Sequence, residues 1–457
     1  MKEYKVGVVG ATGMVGQRFV SLLENHPWFR LAALAASPRS AGKTYEEAVG
    51  ARWAMPTPMP GEAKKMVVMD AADVAAVAAK VDFVFCAVDM KKDEIKALEE
   101  AYAKAECPVV SNNSAHRFTP DVPMVVPEIN AEHIEVISAQ RARLGTKRGF
   151  IAVKSNCSLQ SYVPALHPLM RDYGVSKCLV CTYQAISGAG KTFETWPEMV
   201  DNCIPYIGGE EEKSEKEPLK LWGHIENGQI VPADKPSITA QCLRVACSDG
   251  HMAAVFVSFD KKPTMEEIKE KWAAFSGPAQ ELKLPSAPKQ FLHYFEEADR
   301  PQTKLDRNLE NGMAVSVGRL RDDILFDYKF VCLSHNTLRG AAGGAVLMLL
   351  YALYRKEYTI TPDILVTIGL LFAILMPFIL PHMHERYYFL ADIVSVVFAF
   401  YFPKKLYAAV IMCVSSACAT ANYLFGLVYY PQQLLAIAIL INLVLLMKHL
   451  WELLSQN

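Results

Sequence analysis

The chain carries no surplus of charge. Its 47 lysines and arginines face 48 aspartates and glutamates over 457 residues, and no block rich in Lys and Arg breaks the balance. A surface that tracks a phosphate backbone needs such a block, so nucleic acid is not an expected partner. No secretory leader is expected either. "MKEYKVGVVGATG" enters a strand almost at once, without the longer apolar stretch and small-residue cleavage site of a signal, which places the N-terminal part in the cytosol. The 11 cysteines are scattered and form no compact framework, so reduced thiols, mostly in the core, are expected. Internal repeats and low-complexity segments are absent. Up to about Tyr358 charged residues punctuate every segment; "ILVTIGLLFAILMPFIL" (364–380) then opens a tail where charge is rare.

What is present begins with a βαβ rhythm. Short β-branched runs such as "KVGVVG", "LAALAAS", "DFVFCAV" and "PVVSNNS" alternate with helical patterns such as "GQRFVSLLENH" and "KKDEIKALEEAYAKA", as buried parallel strands require. From about Phe150 to Leu333 the strands lengthen and alternate, which predicts a mixed, largely antiparallel α+β domain. The densest charge run, "GEEEKSEKEPLK" (209–220), reads as a solvated surface segment. The tail holds four apolar stretches, 364–381, 387–402, 406–430 and 432–447. Basic residues Arg355, Lys356, Lys404, Lys405 and Lys448 flank one side of a four-span arrangement, with Arg386 as the exception. Membrane anchorage with the preceding domains in the cytosol is the resulting expectation.

"VGVVGATGMVGQRF" sets Gly10, Gly13 and Gly16 between a strand and a helix. The spacing is GxxGxxG, but the physics matches the common dinucleotide loop: a tight turn, close backbone approach to a pyrophosphate, and a helix N-terminus to receive its charge. At the end of the second strand, "AASPRSAGK" offers Ser37, Arg39 and Ser40 where an NAD-binding domain would carry an acid for the ribose. A guanidinium and hydroxyls there favour a 2′-phosphate, hence NADP.

Cys157, in "KSNCSLQ", stands between a strand and a helix beginning near Ser158. Unpaired N–H groups and the helix dipole stabilise a thiolate at such a junction, and the thiolate is the nucleophile. Cys86 reads as a core residue. Cys178 and Cys181 form a CxxC inside a strand, where i and i+3 face opposite sides; no second CxxC follows, so neither zinc nor redox chemistry is expected and no metal site is predicted. A nucleophilic cysteine beside a nicotinamide suggests an acyl group held on sulfur while hydride passes to or from its carbonyl carbon. In "LRVACSDGHMAAV", a two-residue turn at Asp249-Gly250 would pair Ser248 with His251 and set Arg244 on the same face. That would give a proton shuttle and a carboxylate clamp.

Together "GATGMVG", "SPRSAGK", "SNNSAHR", "SNCS", "YQAISGAG", "RVACSDGH" and "NTLRGAAGG" resemble aspartate-β-semialdehyde dehydrogenase of the archaeal and fungal branch, over about residues 3–350. The resemblance implies an α/β architecture: an NADP-binding Rossmann domain (1–150), an α+β catalytic and dimerisation domain (151–334), and a closing helix (335–358) that returns to the cofactor domain. The tail (359–457) follows. It also implies reduction of L-aspartyl 4-phosphate to L-aspartate 4-semialdehyde on the way to lysine, methionine and threonine, in a homodimer or homotetramer. By the same resemblance Cys157 is the acyl carrier, His251 the acid/base and Gln184 the residue that orients substrate. Arg244 clamps the α-carboxylate; Arg117, Lys220 and Asn156 bind phosphate; Glu217 meets the substrate amino group. Thr12, Gly13, Met14, Val15, Ser37, Arg39, Ser40, Ser187, Gly188 and Asn336 align with nucleotide and nicotinamide contacts.

Three other readings remain open on sequence: N-acetylglutamyl-phosphate reductase, malonyl-CoA reductase, and a membrane protein with a non-catalytic dehydrogenase-like domain. "SNNSAHR" and "SNCSLQ" stand where the first would carry its own signatures. The tail's "MPFILPHMHERYYFLADIVS" resembles the last membrane segments of polytopic glycosyltransferases that use lipid-linked sugars, which reads as an anchor or fusion remnant without activity.

Overall fold

The computed structural model describes residues 3–354, 362–379, 389–425 and 432–456. The chain divides into two compact units, Met1–Arg355 and Lys356–Asn457.

The first unit opens with strands β1 (Tyr4–Val9), β2 (Phe29–Ala36), β3 (Met69–Asp70), β4 (Phe83–Cys86), β5 (Val109–Ser111) and β6 (Ile151–Val153). All pair in parallel, in the order β3-β2-β1-β4-β5-β6. This is the doubly wound order, which gathers the strands' C-terminal ends at one crevice. Because side chains alternate across a strand, Phe83 and Phe85 enter one core while Val84 and Cys86 enter the other. Helix α1 (Met14–Leu23) covers the first face, stacking Phe19 on Phe85 at 4.5 Å between ring centres. Helices α2 (Lys92–Lys104) and α3 (Ile137–Leu144) serve the other side, with Tyr102 of α2 buried in that core. The expected boundary at residue 150 moves: Ile151–Val153 is the last strand of this sheet.

The catalytic domain adds α4 (Leu159–Tyr173), β7 (Val175–Gln184), β8 (Cys203–Ile204), α5 (Glu210–Leu221), the ribbon β9 (His224–Glu226) and β10 (Gln229–Val231), β11 (Ser237–Val245), β12 (His251–Phe259), α6 (Met265–Ala274), β13 (Leu292–Phe295), β14 (Val315–Asp322) and β15 (Tyr328–Ser334). Its seven-stranded sheet runs β13-β14-β15-β12-β7-β11-β8, mixed and mainly antiparallel as expected. Ala253, Val255 and Val257 point to the face covered by α4 and α6, where Trp272 Nε1 donates to the Ala165 carbonyl at 2.8 Å.

Two expectations fail here. Strands β11 and β12 do not form a hairpin: β7 lies between them, parallel to β11 and antiparallel to β12, so Arg244 pairs with Gln184 and His251 with Ser334. Residues 246–250 instead cross the end of β7, where Ile186 and Ser187 donate backbone bonds to Cys247 and Ser248. A two-residue turn joins neighbours only, and the central strand excludes it. The acidic run is also no solvated segment. It forms α5, which buries Glu210, Ser214, Glu217, Pro218, Lys220 and Leu221 along one stripe.

After β15 a π-helical turn (Leu338–Ala342) leads into α7 (Gly343–Tyr354); Gly340 and Ala342 donate to carbonyls five residues back, His335 and Thr337. Leu347, Leu350 and Tyr351 join the core of β1, β4 and α1. The closing helix's predicted last residues, 355–358, lie outside those described.

The second unit contains α8 (Pro362–Ile379), α9 (Phe389–Tyr401), α10 (Tyr407–Phe425) and α11 (Gln432–Gln456), which share a core of Leu370, Ile374, Phe398, Met412 and Leu443. Among the described residues no helix is long and apolar enough to cross a membrane. At about 1.5 Å per residue, the 13 residues of α9 fall well short of a hydrocarbon core of about 30 Å. The four-span anchor, and the glycosyltransferase likeness with it, are therefore unsupported. Residues 380–381, 387–388 and 426–430 of those stretches, and the flanking Arg355, Lys356 and Arg386, lie outside the described residues.

Candidate active site

At the end of β1 the backbone turns at Gly10 with φ +89°, and a Cβ there would collide with the Ala87 carbonyl. A Cβ on Gly16 would collide with the Gly10 carbonyl. Gly13 then precedes α1 without any capping side chain, which leaves the first amides of Met14 and Val15 available to an anion. Ser37 and Arg39 are exposed at the end of β2 and Ser40 is buried. The loop thus fits a pyrophosphate, and the Arg39 side chain is exposed just past β2.

Cys157 follows β6 and lies two residues before α4, next to its N-cap Ser158. Its Sγ lies 3.3 Å from His251 Nε2. The His251 ring is fully buried, and the Ala185 amide donates to its Nδ1 at 3.0 Å. Burial, reinforced by the Arg244 guanidinium, draws His251 down to about 3, so the imidazole is neutral near pH 7. Arg244 Nη1 donates to the Ala185 carbonyl at 2.7 Å. One residue just past β7, Ala185, thereby holds both groups through its N–H and its C=O, and Arg244 and His251 come together without a hairpin. Gly188 roofs the pair: a Cβ on it would lie 2.8 Å from Arg244 Nη1 and 2.9 Å from His251 Nε2. Ser187 accepts from Asn336 Nδ2 at 2.8 Å, and Asn336 Oδ1 accepts from Gly250 N, which ties these predicted nicotinamide contacts to the residue before His251.

The helix dipole was expected to favour the thiolate of Cys157. In the structure burial prevails, with the Glu210 carboxylate adding to it, and the thiol is raised to about 11.

The opposite wall comes from α5, and several predicted roles change there. Lys220 Nζ donates to the carbonyls of Arg117, Thr119 and Val122 at 2.7–2.9 Å. An ammonium has three protons, so none remains for a phosphate. Glu217 is fully buried and accepts from Arg117 Nη1 at 2.9 Å and from Asn156 N at 2.7 Å; it holds the loop and is not open to a substrate amine. Asn156 likewise gives its amide to Glu210 and accepts from Ser158. Arg117 is held by the Lys154 carbonyl and Glu217.

The α5 residues on this wall, Glu210 and Lys213, were not singled out from sequence. Glu210 accepts from Gln184 Nε2 at 3.2 Å, from Asn156, and from Lys213 Nζ at 2.6 Å. Burial opposes its ionisation, but Lys213 and the two amides hold the carboxyl below its ordinary value. The signal was available in the 210, 214, 217, 221 spacing, a helical stripe whose first three members, Glu210, Ser214 and Glu217, are polar and buried. Arg339, also unassigned, forms a fully buried bidentate pair with Glu128 at 2.6 and 2.9 Å.

Two family models match: "Semialdehyde dehydrogenase, NAD binding domain" over residues 5–137 and "Semialdehyde dehydrogenase, dimerisation domain" over 166–339. The chain is 44% identical to the aspartate-semialdehyde dehydrogenase of Archaeoglobus fulgidus over 347 residues, covering 76% of this chain and 96% of that one. The chain belongs to the aspartate-semialdehyde dehydrogenase family. Its activity is accordingly that of an NADP-dependent, phosphorylating oxidoreductase. The family's enzyme from Schizosaccharomyces pombe is 43% identical over 349 residues, 75% of this chain and 96% of that one. Among solved structures, aspartate-semialdehyde dehydrogenase with NADP from Candida albicans superposes with a TM-score of 0.69 at 39% identity, covering 77% of this chain and 98% of that one. The residues matched by the two family models all lie in the first unit.

Proposed function

We propose that this dehydrogenase reduces L-aspartyl 4-phosphate to L-aspartate 4-semialdehyde and phosphate through a thioester on Cys157, in the cytoplasmic route to lysine, methionine and threonine. The observation that carries this reading is the Cys157–His251 contact at 3.3 Å, beside the buried guanidinium of Arg244. Sulfur attacks the acyl carbon and phosphate leaves. His251 Nε2 is placed to steady the sulfur and afterwards to give a proton to, and recover it from, the oxygen of the sulfur-bound intermediate. Gly10–Gly16, Ser37, Arg39 and Ser40 would hold NADPH, with Ser187, Gly188 and Asn336 at its nicotinamide end, and the bound cofactor would supply the hydride.

Arg244 offers a planar fork for the α-carboxylate. Glu210 takes the place first given to Glu217, as the carboxylate facing the amino group, and Lys213 takes that of Lys220 beside the phosphate. Arg117 borders the phosphate side from the loop after β5. Paired acid and base for an amino acid head group favour this substrate over malonyl-CoA, which has no amino group. The dimerisation-domain match supports a homodimer or a pair of dimers.

Purified protein given aspartate semialdehyde should reduce NADP only when phosphate is present, and Cys157→Ala should abolish turnover while NADP still binds. Silence with this substrate together with turnover of malonyl-CoA would overturn the assignment.

A further inference from the structure

The contact between Cys157 and His251 needs both of its ends held. The imidazole is fixed by the Ala185 amide; the sulfur rides on the short connection from β6 to α4, residues 154–158. Part of that connection is tied to α5, where Asn156 N donates to Glu217 at 2.7 Å and the Asn156 side chain donates to Glu210. A second support reaches it through α4.

Gln160, in the first turn of α4, folds back across the nucleophile. Its Nε2 donates to Ser155 Oγ at 2.7 Å and its backbone N–H to the Cys157 carbonyl at 3.3 Å, so one residue clasps the chain on both sides of the sulfur's attachment. Gln160 Oε1 in turn accepts from Arg339 Nε at 3.0 Å. Arg339 gives its two remaining nitrogens to Glu128, at 2.6 and 2.9 Å, and its guanidinium lies 4.4 Å from the centre of the Phe291 ring. Gln280 Nε2 donates to the same carboxylate at 3.2 Å. Ser155, Gln160, Glu128 and Arg339 are all buried, and a buried polar chain whose members are paired is rigid.

The residue after Arg339 backs the nucleophile directly. A Cβ on Gly340 would lie 2.9 Å from Cys157 Cβ and 3.2 Å from its Cα, and a Cβ on Gly344 would collide with Lys154 Cε. Residues four apart on a helical segment share a face. The π-helical turn and the start of α7 thus set a wall of glycine behind residues 154–157, and the Arg339–Gln160 bond fastens that wall to α4.

We propose that Gln160, anchored by Arg339, is a positioning residue that sets where Cys157 stands against His251. It acts on the backbone that carries the sulfur, not on the sulfur. Misplacing a reacting atom by about 1 Å can cost about a hundredfold in rate, so loosening this clasp should slow turnover and leave the substrate and cofactor contacts in place. The proposal rests on Cys157 being the nucleophile.

The test is steady-state kinetics of the full-length protein, with kcat counted per NADP-binding molecule so that a loss of folded protein does not register. Gln160→Leu keeps the bulk and removes both side-chain bonds. Its kcat should fall at least about tenfold, with KM for aspartate semialdehyde and Kd for NADP within about twofold of the wild type. Gln160→Glu is the rescue: a carboxylate accepts from Arg339 Nε and from the Ser155 hydroxyl together, so kcat should stay within about threefold. A support that served stability alone would lower Tm in Gln160→Leu and leave kcat per molecule unchanged, and that result would overturn the proposal. A loss confined to KM, or an equal loss of kcat in Gln160→Glu, would overturn it as well. Should Gln160→Leu fail to fold, Gln160→Asn, too short to reach Ser155 and Arg339 together, is read by the same criteria. Normal turnover by Cys157→Ala would instead sink the proposed function, which separates the two failures.

Discussion

At the scale of single residues, the group types proposed for the reaction were readable and their hydrogen-bond partners were not. Cys157 meets His251 at 3.3 Å, and Arg244 and His251 share Ala185 as an anchor. Lys220 and Glu217 illustrate the opposite case: a lysine and a glutamate near phosphate-binding motifs invite a ligand role, and only geometry shows that carbonyls and Arg117 already satisfy them. The two lysines of α5 should therefore separate cleanly. Lys220→Met should lower stability by about 3 kcal/mol in urea unfolding, because three buried carbonyls lose their donor. Lys213→Met should leave the unfolding midpoint nearly unchanged and raise KM for phosphate in the semialdehyde-oxidising direction by about tenfold. An equal effect of both changes on KM would contradict the assignment.

At the scale of elements, pattern decided correctly wherever one face is apolar. The parallel strands, α1 and the long strands of the second sheet all carry the expected period, and all were legible. Strand neighbours were not, because local periodicity carries no information about which strand inserts between two others; β7 between β11 and β12 is the instance here. A polar buried stripe is equally opaque to a hydrophobicity pattern, which is why α5 looked like surface. The glycine loop makes a sharper prediction. Gly16→Ala forces a methyl into the Gly10 carbonyl, so NADP affinity, measured by fluorescence titration, should fall at least about tenfold. Gly188→Ala should spare NADP binding more than turnover, since the added methyl meets Arg244 and His251.

At the scale of the whole molecule, every residue assigned to the reaction lies in the first unit, which closes at α7. A chain ending at Arg355 should retain semialdehyde dehydrogenase activity within about twofold in kcat/KM; loss of activity would assign the second unit a catalytic contribution. Acid should weaken the fold. His251 and His335 are held neutral chiefly by burial, at about 3 and about 4, against about 6.5 in an unfolded chain. Between those values the unfolded state binds more protons, so stability rises with pH across that window and falls on acidification below about 6.5. The Tm should drop between pH 7 and pH 5, and His335→Asn should flatten that slope.

The glycine wall behind the nucleophile also sets an order in time. Cys157 and Lys154 leave the ribosome some 180 residues before Gly340 and Gly344, the surfaces on which they rest. Both sheets are complete by Ser334, yet Asn336, Arg339 and the π-helical turn are still to come. A nascent chain at that stage is an assembled scaffold with an open back to its reactive thiol, and chemistry becomes possible only when the closing segment arrives.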